Sequence, residues 1–222
     1  DAETGWGLVN AEEAVRAALP PSAPVPAGSE KPAEPQPDTP GSKTPAGGQV
    51  LEHGWKTMGG NKYYYGADGK PMVGFGKIDG VWYYFDSAGA MRTGWVQDKG
   101  TWYYLDLSSG RMLTGWQKVG GVWYYLKGSG AMATGWAKVG GSWYYLKSSG
   151  AMATGWQKVG GAWYFLKDSG AMATGWYKVG GKWYYSNGSG AMQANRWIGN
   201  YYVTASGAMV TNTWIGRYHV NT

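Results

Sequence analysis

Pairs of tryptophans seven residues apart recur between Trp95 and Trp183: Trp95 and Trp102, Trp116 and Trp123, Trp136 and Trp143, Trp156 and Trp163, Trp176 and Trp183. The second member of each pair is followed by two further rings, as in Trp123-Tyr124-Tyr125. Ring faces carry the negative lobe of the aromatic quadrupole and attract cations. Three faces around a small void suit a quaternary ammonium, whose methyl groups pack on the rings, whereas a bare ammonium gives up more hydration. Each ring contributes roughly 0.5–2 kcal/mol, which sets a dissociation constant on the order of millimolar for one cage. Several weak sites on one rod gain avidity on a polymer that repeats the ligand. The pattern therefore points to a polymeric, surface-bound partner rather than a free metabolite.

Other chemistries find little support. The chain has no Cys, which removes thiolate nucleophiles, disulfides and Cys-ligated metals. His53 and His219 lie far apart in sequence, so a His-rich metal site is not expected and a His-based triad has few candidates. Asp79, Asp86, Asp98, Asp106 and Asp168 fall in turn segments and do not recur as a pair. Serines such as Ser148 and Ser149 have no His placed beside them by the repeat. No cofactor and no metal is expected, and residues 50–222 read as a binding module rather than an enzyme. A catalytic domain upstream in a longer parent stays open.

The elements that position the rings come from an internal repeat. TGWQKVGGVWYYLKGSGAMA from Thr114, TGWAKVGGSWYYLKSSGAMA from Thr134, TGWQKVGGAWYFLKDSGAMA from Thr154 and TGWYKVGGKWYYSNGSGAMQ from Thr174 share a period of 20. Looser copies start near Trp55, Phe75 and Trp95, and near Trp197 and Trp214, making eight or nine units with the last partial. Gly pairs such as Gly120-Gly121 between two short apolar and aromatic runs signal hairpins, because tight turns need positive φ. A second turn, Lys127 to Gly130, ends each hairpin. One such hairpin is marginal alone. The expected fold is therefore all-β, a β-solenoid of stacked β-hairpins with nearly additive stability.

Alternation separates two faces of the second strand, Tyr124 with Leu126 and Trp123 with Tyr125. The Leu126 position holds Phe85, Leu105, Leu146 and Leu166 in other copies, so its face is read as the interior. The Trp123 position becomes Lys62 and Asn200 in the outer copies, which a core position does not accept. The Trp123 and Tyr125 face is therefore placed towards the groove between neighbouring hairpins, with a Met nearby. The alternative is that all these rings are core; against it, a buried indole N–H needs a partner.

The 222 residues divide into three zones. Residues 1–19 carry a helical pattern from Asn10, with Asn10 and Glu13 placed as in a capping box. Residues 20–49 hold nine of the ten prolines and read as a semi-rigid Pro-rich linker. Residues 50–222 are the repeat module. The start at Asp1, without Met or signal peptide, is read as a piece of something longer. The formal charge of +6 favours acidic partners at long range. Nucleic acid is not expected, since the lysines are spread one per repeat and form no dense basic stripe. No apolar run approaches the roughly 18 residues of a spanning helix, so no membrane insertion is expected.

The units GWxKxGGxWYYLKxSGAMATGW resemble the choline-binding, or cell-wall-binding, repeats of pneumococcal-type surface proteins and phage lysins, over residues 50–222. The resemblance implies binding of phosphocholine on teichoic and lipoteichoic acids and a secreted, virulence-associated protein held at a Gram-positive cell surface. It also implies sites built from two Trp of one hairpin, one aromatic residue of the next, and a Met wall. Carried onto this chain, the sites are Trp95, Trp102 and Tyr125; Trp116, Trp123 and Tyr145; Trp136, Trp143 and Phe165; and Trp156, Trp163 and Tyr185. Phe75, Trp82 and Tyr104 form another with Phe replacing a Trp, and Trp176, Trp183 and Tyr202 a last one. The first unit departs from the pattern at Lys62, and the WIGN and WIGR units lack the second Trp and are expected to cap the stack. Trp95 to Trp116 and Trp176 to Trp197 each span 21 residues, insertions expected to twist the rod locally.

Lys118, Lys138, Lys158 and Lys178 follow the first Trp by two residues and share its face. They are read either as weak, screened phosphate contacts or as solvated side chains. A rival for the whole module is ring stacking on sugars, although the amide side chains that hold hydroxyls are sparse here. At the other end, GWGLVNAEEAVRAAL resembles the closing stretch of subtilisin-like protease domains, but none of that family's catalytic motifs is present.

Overall fold

Paired turn residues close nine hairpins among the described residues. The computed structural model describes residues 53–220, so the expected helix from Asn10 and the Pro-rich linker over 20–49 lie outside the described residues. All elements among the described residues are strands: β1 (Gly54–Met58), β2 (Asn61–Tyr65), β3 (Gly74–Ile78), β4 (Val81–Phe85), β5 (Gly94–Asp98), β6 (Thr101–Leu105), β7 (Gly115–Val119), β8 (Val122–Leu126) and β9 (Gly135–Val139). They continue as β10 (Ser142–Leu146), β11 (Gly155–Val159), β12 (Ala162–Leu166), β13 (Gly175–Val179), β14 (Lys182–Ser186), β15 (Arg196–Ile198), β16 (Tyr201–Val203), β17 (Thr213–Ile215) and β18 (Tyr218–Val220). Each odd strand pairs with the strand that follows it, giving nine two-stranded sheets. At the tip of the β7–β8 hairpin Gly120 (φ 57°) and Gly121 (φ 83°) are both left-handed. Such a turn matches the twist of a two-residue hairpin and disfavours side chains.

The residues form two compact units, one of 53–135 with Ser148–Ala151 and one of Trp136–Lys147 with 152–220. Each is a stack of hairpins, as expected of an all-β repeat. The joint between consecutive hairpins is a backbone joint. After β8 the chain turns and returns as a short extended segment. There the Met132 N–H donates to the Trp102 carbonyl of the preceding hairpin (2.7 Å), and the Ala133 N–H donates to the Tyr125 carbonyl of its own (2.8 Å). In the other unit Met172 and Ala173 bond Trp143 and Phe165 in the same way, at 2.7 and 2.8 Å. A hairpin that is marginal alone thus has its edge satisfied by its neighbour. Gly130 serves this joint twice. Its φ of +82° is left-handed, and a Cβ there would strike the Met112 side chain.

Within each unit the core runs along its stack of hairpins. Phe85, Leu105, Leu126, Leu146, Leu166 and Val203 are fully buried, as the interior assignment of that position requires. One copy exchanges its partners. Ser186 occupies the position of Leu166 and is also fully buried. The space is filled by Tyr177, at a position held by Gln or Ala in the neighbouring copies. Tyr177 stacks on Phe165 (centroids 5.3 Å, 11°) and its hydroxyl bonds the Ser186 hydroxyl at 2.9 Å.

Candidate cation-binding site

Register decides which rings share a face. Residues directly opposite in an antiparallel pair point to the same side. Trp116 faces Tyr125 and Lys118 faces Trp123, so all four lie on one side of the β7–β8 hairpin, with Gln117 and Tyr124 on the other. The same holds for Trp95, Tyr104, Gln97 and Trp102, and for Trp156, Phe165, Lys158 and Trp163.

On that side the two tryptophans make a corner that repeats with little variation. Trp95 and Trp102 stand 6.4 Å apart at 87°, Trp116 and Trp123 6.5 Å at 90°, Trp136 and Trp143 6.4 Å at 88°, and Trp156 and Trp163 6.4 Å at 88°. Phe75 and Trp82 do the same at 6.3 Å and 85°. The first ring is held from two directions. Its own hairpin supplies one contact, Tyr104 on Trp95 at 4.9 Å. The next hairpin supplies the other, Tyr124 on Trp95 at 4.9 Å. The second ring is less covered: Trp102 and Trp123 are each 41% exposed. A core reading does not fit Trp102 and Trp123, whereas Phe75, Tyr103 and Tyr164 are buried.

The third ring is not the expected one. Tyr124 meets Trp95, where Tyr125 was expected; Tyr125 instead packs on Trp116 in its own hairpin at 5.1 Å. The shift recurs. Tyr103 rather than Tyr104 meets Phe75 (4.6 Å), Tyr164 rather than Phe165 meets Trp136 (4.7 Å), and Tyr184 rather than Tyr185 meets Trp156 (5.0 Å). Tyr201 rather than Tyr202 meets Trp176, at 5.4 Å. Tyr145, expected beside Trp116, lies on Trp136 of its own hairpin. The reason is geometric. A groove between stacked hairpins is lined by opposite faces of the two, so the tyrosine on the face away from its own Trp closes it. Alternation sorted Tyr124 and Tyr125 onto opposite faces, as the register has it, but it read the Tyr124 face as interior, and that face supplies the ring that meets Trp95 of the preceding hairpin.

The Met residues belong to these grooves. Trp176, Trp183, Tyr201 and Met209 alone line a cavity of about 300 Å³, and the Met209 N–H bonds the Trp183 carbonyl at 2.7 Å. Sequence spacing placed Met near each groove but not its main-chain bond to the exposed Trp. Burial raises the phenol pKa of Tyr103, Tyr164 and Tyr184, with the Asp98 carboxylate adding to the effect at Tyr103. These three phenols are therefore neutral at ordinary pH. The four repeat lysines are exposed, and the Lys118 ammonium lies 5.8 Å over the Trp123 ring.

The outer copies differ. Trp55 has its own Tyr64 at 5.3 Å and Tyr83 of the next hairpin at 5.0 Å, but Lys62 stands where the second Trp would be. Trp197 contacts Tyr218 at 5.8 Å in a cavity that Asn200 and His219 also line. Among the described residues no group of three or more His, Cys, Asp or Glu side chains is placed to hold a metal. No helix there is long and apolar enough to cross a membrane.

The model of the choline-binding repeat matches residues 72–114, 113–154 and 153–197, and a second choline-binding repeat model matches 191–222. The chain belongs to the choline-binding repeat family. A cell wall binding repeat model also matches the first copy, residues 53–70. CbpJ from Streptococcus pneumoniae TIGR4 is 45% identical with a TM-score of 0.70, covering 72% of this chain and 60% of that one. Choline binding protein F from Streptococcus pneumoniae is 43% identical with a TM-score of 0.68, covering 72% and 58%. The choline-binding domain of CbpL from Streptococcus pneumoniae is 36% identical with a TM-score of 0.63, covering 77% of this chain and 94% of that domain. The matched region thus spans about 60% of the CbpJ chain. No curated protein sequence matches the chain significantly. The stacked hairpins described above are choline-binding repeats.

Proposed function

We propose that these choline-binding repeats anchor their parent protein non-covalently to the bacterial cell wall, by seating the choline of teichoic and lipoteichoic acids in the aromatic grooves. The observation that carries this reading is the cavity walled by Trp176, Trp183, Tyr201 and Met209. It offers three ring faces and a thioether, and no side-chain charge. That lining suits a trimethylammonium group and offers few hydrogen bonds to a sugar. The equivalent sites are Trp95, Trp102 and Tyr124; Trp136, Trp143 and Tyr164; Trp156, Trp163 and Tyr184; and Phe75, Trp82 and Tyr103. Trp116 and Trp123 supply the corner of one more.

The module itself binds and does not catalyse. The parent is a secreted surface protein, with 20–49 as a spacer between residues 1–19 and the repeats. The test is retention on purified walls. The chain should sediment with walls that carry choline and be released by free choline at millimolar to tens of millimolar concentration, the range set by three rings per site. Equal retention on walls stripped of choline, or no release by choline, would contradict the proposal.

A further inference from the structure

One groove carries a charge that its equivalents lack. The turn after each hairpin closes with one backbone bond, from its first residue to the residue before the Met. These bonds join Asp86 to Ala90, Asp106 to Arg111, Lys127 to Ala131, Lys167 to Ala171 and Asn187 to Ala191, at 2.8–3.0 Å. By this bond Arg111 stands where the other turns place alanine. Lys70 holds the same place after the first hairpin, where no hairpin precedes it among the described residues. Arg111 is exposed, and it lines a cavity of about 630 Å³ together with Trp82, Met112, Ser109 and Thr114. Trp82 is the half-buried second ring of the Phe75 and Trp82 corner, with the Lys77 ammonium 5.5 Å over it; of that corner's rings it alone lines this cavity. This cavity is about twice the volume of that at Trp176 and Trp183. Asp106 also lines it, but its carboxylate is turned into its own loop. One carboxylate oxygen accepts the Ser108 hydroxyl at 2.6 Å, the Ser109 hydroxyl at 2.7 Å and the Ser109 N–H at 2.8 Å. The Ser108 and Ser109 hydroxyls hold this carboxyl well below the usual range, so it stays ionised and bound to its loop.

We infer that this groove reads both halves of a phosphocholine ester, with the trimethylammonium group on the Trp82 face and the phosphate on the Arg111 guanidinium. The inference rests on the cage reading above and goes beyond it: Arg111 is a specificity-determining residue for phosphocholine over choline. A guanidinium presents a planar fork of donors that matches two phosphate oxygens. The grooves whose turns carry alanine have no guanidinium there; their exposed repeat lysines, such as Lys118 beside Trp123, are single screened charges and leave choline and phosphocholine nearly alike. Because Arg111 is exposed, the preference is an exposed ion pair's, about two- to fivefold in affinity.

The test uses the whole chain with ¹⁵N in the arginine and tryptophan side chains. The Arg111 Nε and Trp82 indole resonances are assigned by their loss in Arg111→Lys and Trp82→Phe. Choline and phosphocholine should both shift the Trp82 indole, and phosphocholine alone should shift Arg111 Nε and bind about two- to fivefold tighter there. Arg111→Ala should abolish the preference while choline still binds. Gly128→Asp should abolish it too. Gly128 lines the same cavity, its φ is ordinary, a Cβ there meets nothing within 4 Å, and Asp168 fills the equivalent turn position in a later copy. An Arg111 resonance indifferent to phosphocholine, with Trp82 responding to choline, overturns this inference and leaves the cages standing. A Trp82 indole indifferent to choline refutes the cage at this groove instead. Glycerophosphocholine and phosphatidylcholine vesicles separate a soluble ester from a lipid headgroup. The first should shift Arg111 and the second should not sediment the protein. Arg111-dependent sedimentation with vesicles would overturn the assignment to a wall polymer.

Discussion

Exchanging Tyr201 for alanine tests which face of a hairpin closes the groove before it. Tyr201 stands 5.4 Å from Trp176 at 75° and lines the cavity with Trp183 and Met209. Removing it takes away one of three rings, roughly 0.5–2 kcal/mol of cation–π attraction, which is about two- to thirtyfold in dissociation constant. Tyr201 is 49% exposed, so its truncation leaves a smaller void than the loss of a core ring. Tyr202 points to the other side and packs on Trp197 at 5.3 Å. Tyr202→Ala should therefore change choline affinity at this groove by less than about twofold, less than the loss of one full ring. Several grooves bind at once, so the assay must resolve one of them. The indole N–H resonances of Trp176 and Trp183, followed during a choline titration, do so. A Tyr202→Ala protein that loses choline at Trp176, beside a Tyr201→Ala protein that keeps it, would refute the opposite-face argument for every groove.

Three further expectations follow from the same geometry. Gly130→Ala combines a left-handed φ with a collision against Met112, and should cost about 1–3 kcal/mol, read as a lower midpoint in thermal unfolding. The Tyr177 phenol is pushed up to about 12, mainly by burial, against about 10 in the unfolded chain. The folded state thus holds this proton more tightly, and the stability it contributes is full below about pH 10 and lost as pH rises towards about 12. Denaturant unfolding of the parent chain and Tyr177→Phe across that window should show a shallower fall in the variant. Replacing Lys118, Lys138, Lys158 and Lys178 by Gln should leave free-choline affinity within about twofold, since the charges are exposed and screened. The same protein should bind anionic wall polymer less tightly at low salt, and an unchanged salt dependence would show the lysines to be solvated only.

Much of this architecture is written in the repeat. The period, the Gly pairs and the constant Leu126 position were enough to expect stacked hairpins, with Leu126 inside and Trp123 outside. Those features are local, because two-residue turns and strand alternation need no knowledge of distant residues. What lay beyond the sequence was relational. Alternation sorted Tyr124 from Tyr125 without showing that each groove joins opposite faces of two hairpins. Met132 could be placed near a groove by spacing, yet its bond to the Trp102 carbonyl belongs to the stacking of one repeat on another. The exchange of Leu for Ser186 is matched by Tyr177 on a different strand, a pairing that the repeat alignment by itself does not connect. The equivalence of Arg111 to Ala131 is not apparent from spacing, because the turn after Leu105 is one residue longer than that after Leu126.

The central claim is that the paired tryptophans form cages for a quaternary ammonium. Intrinsic tryptophan fluorescence of the chain, titrated with choline chloride beside glucose and sodium chloride, tests it directly. A saturable change at choline concentrations on the order of millimolar, absent with glucose and with salt, is the predicted result. No response to choline, or an equal response to glucose, would contradict it and return these rings to the role of core or sugar platform.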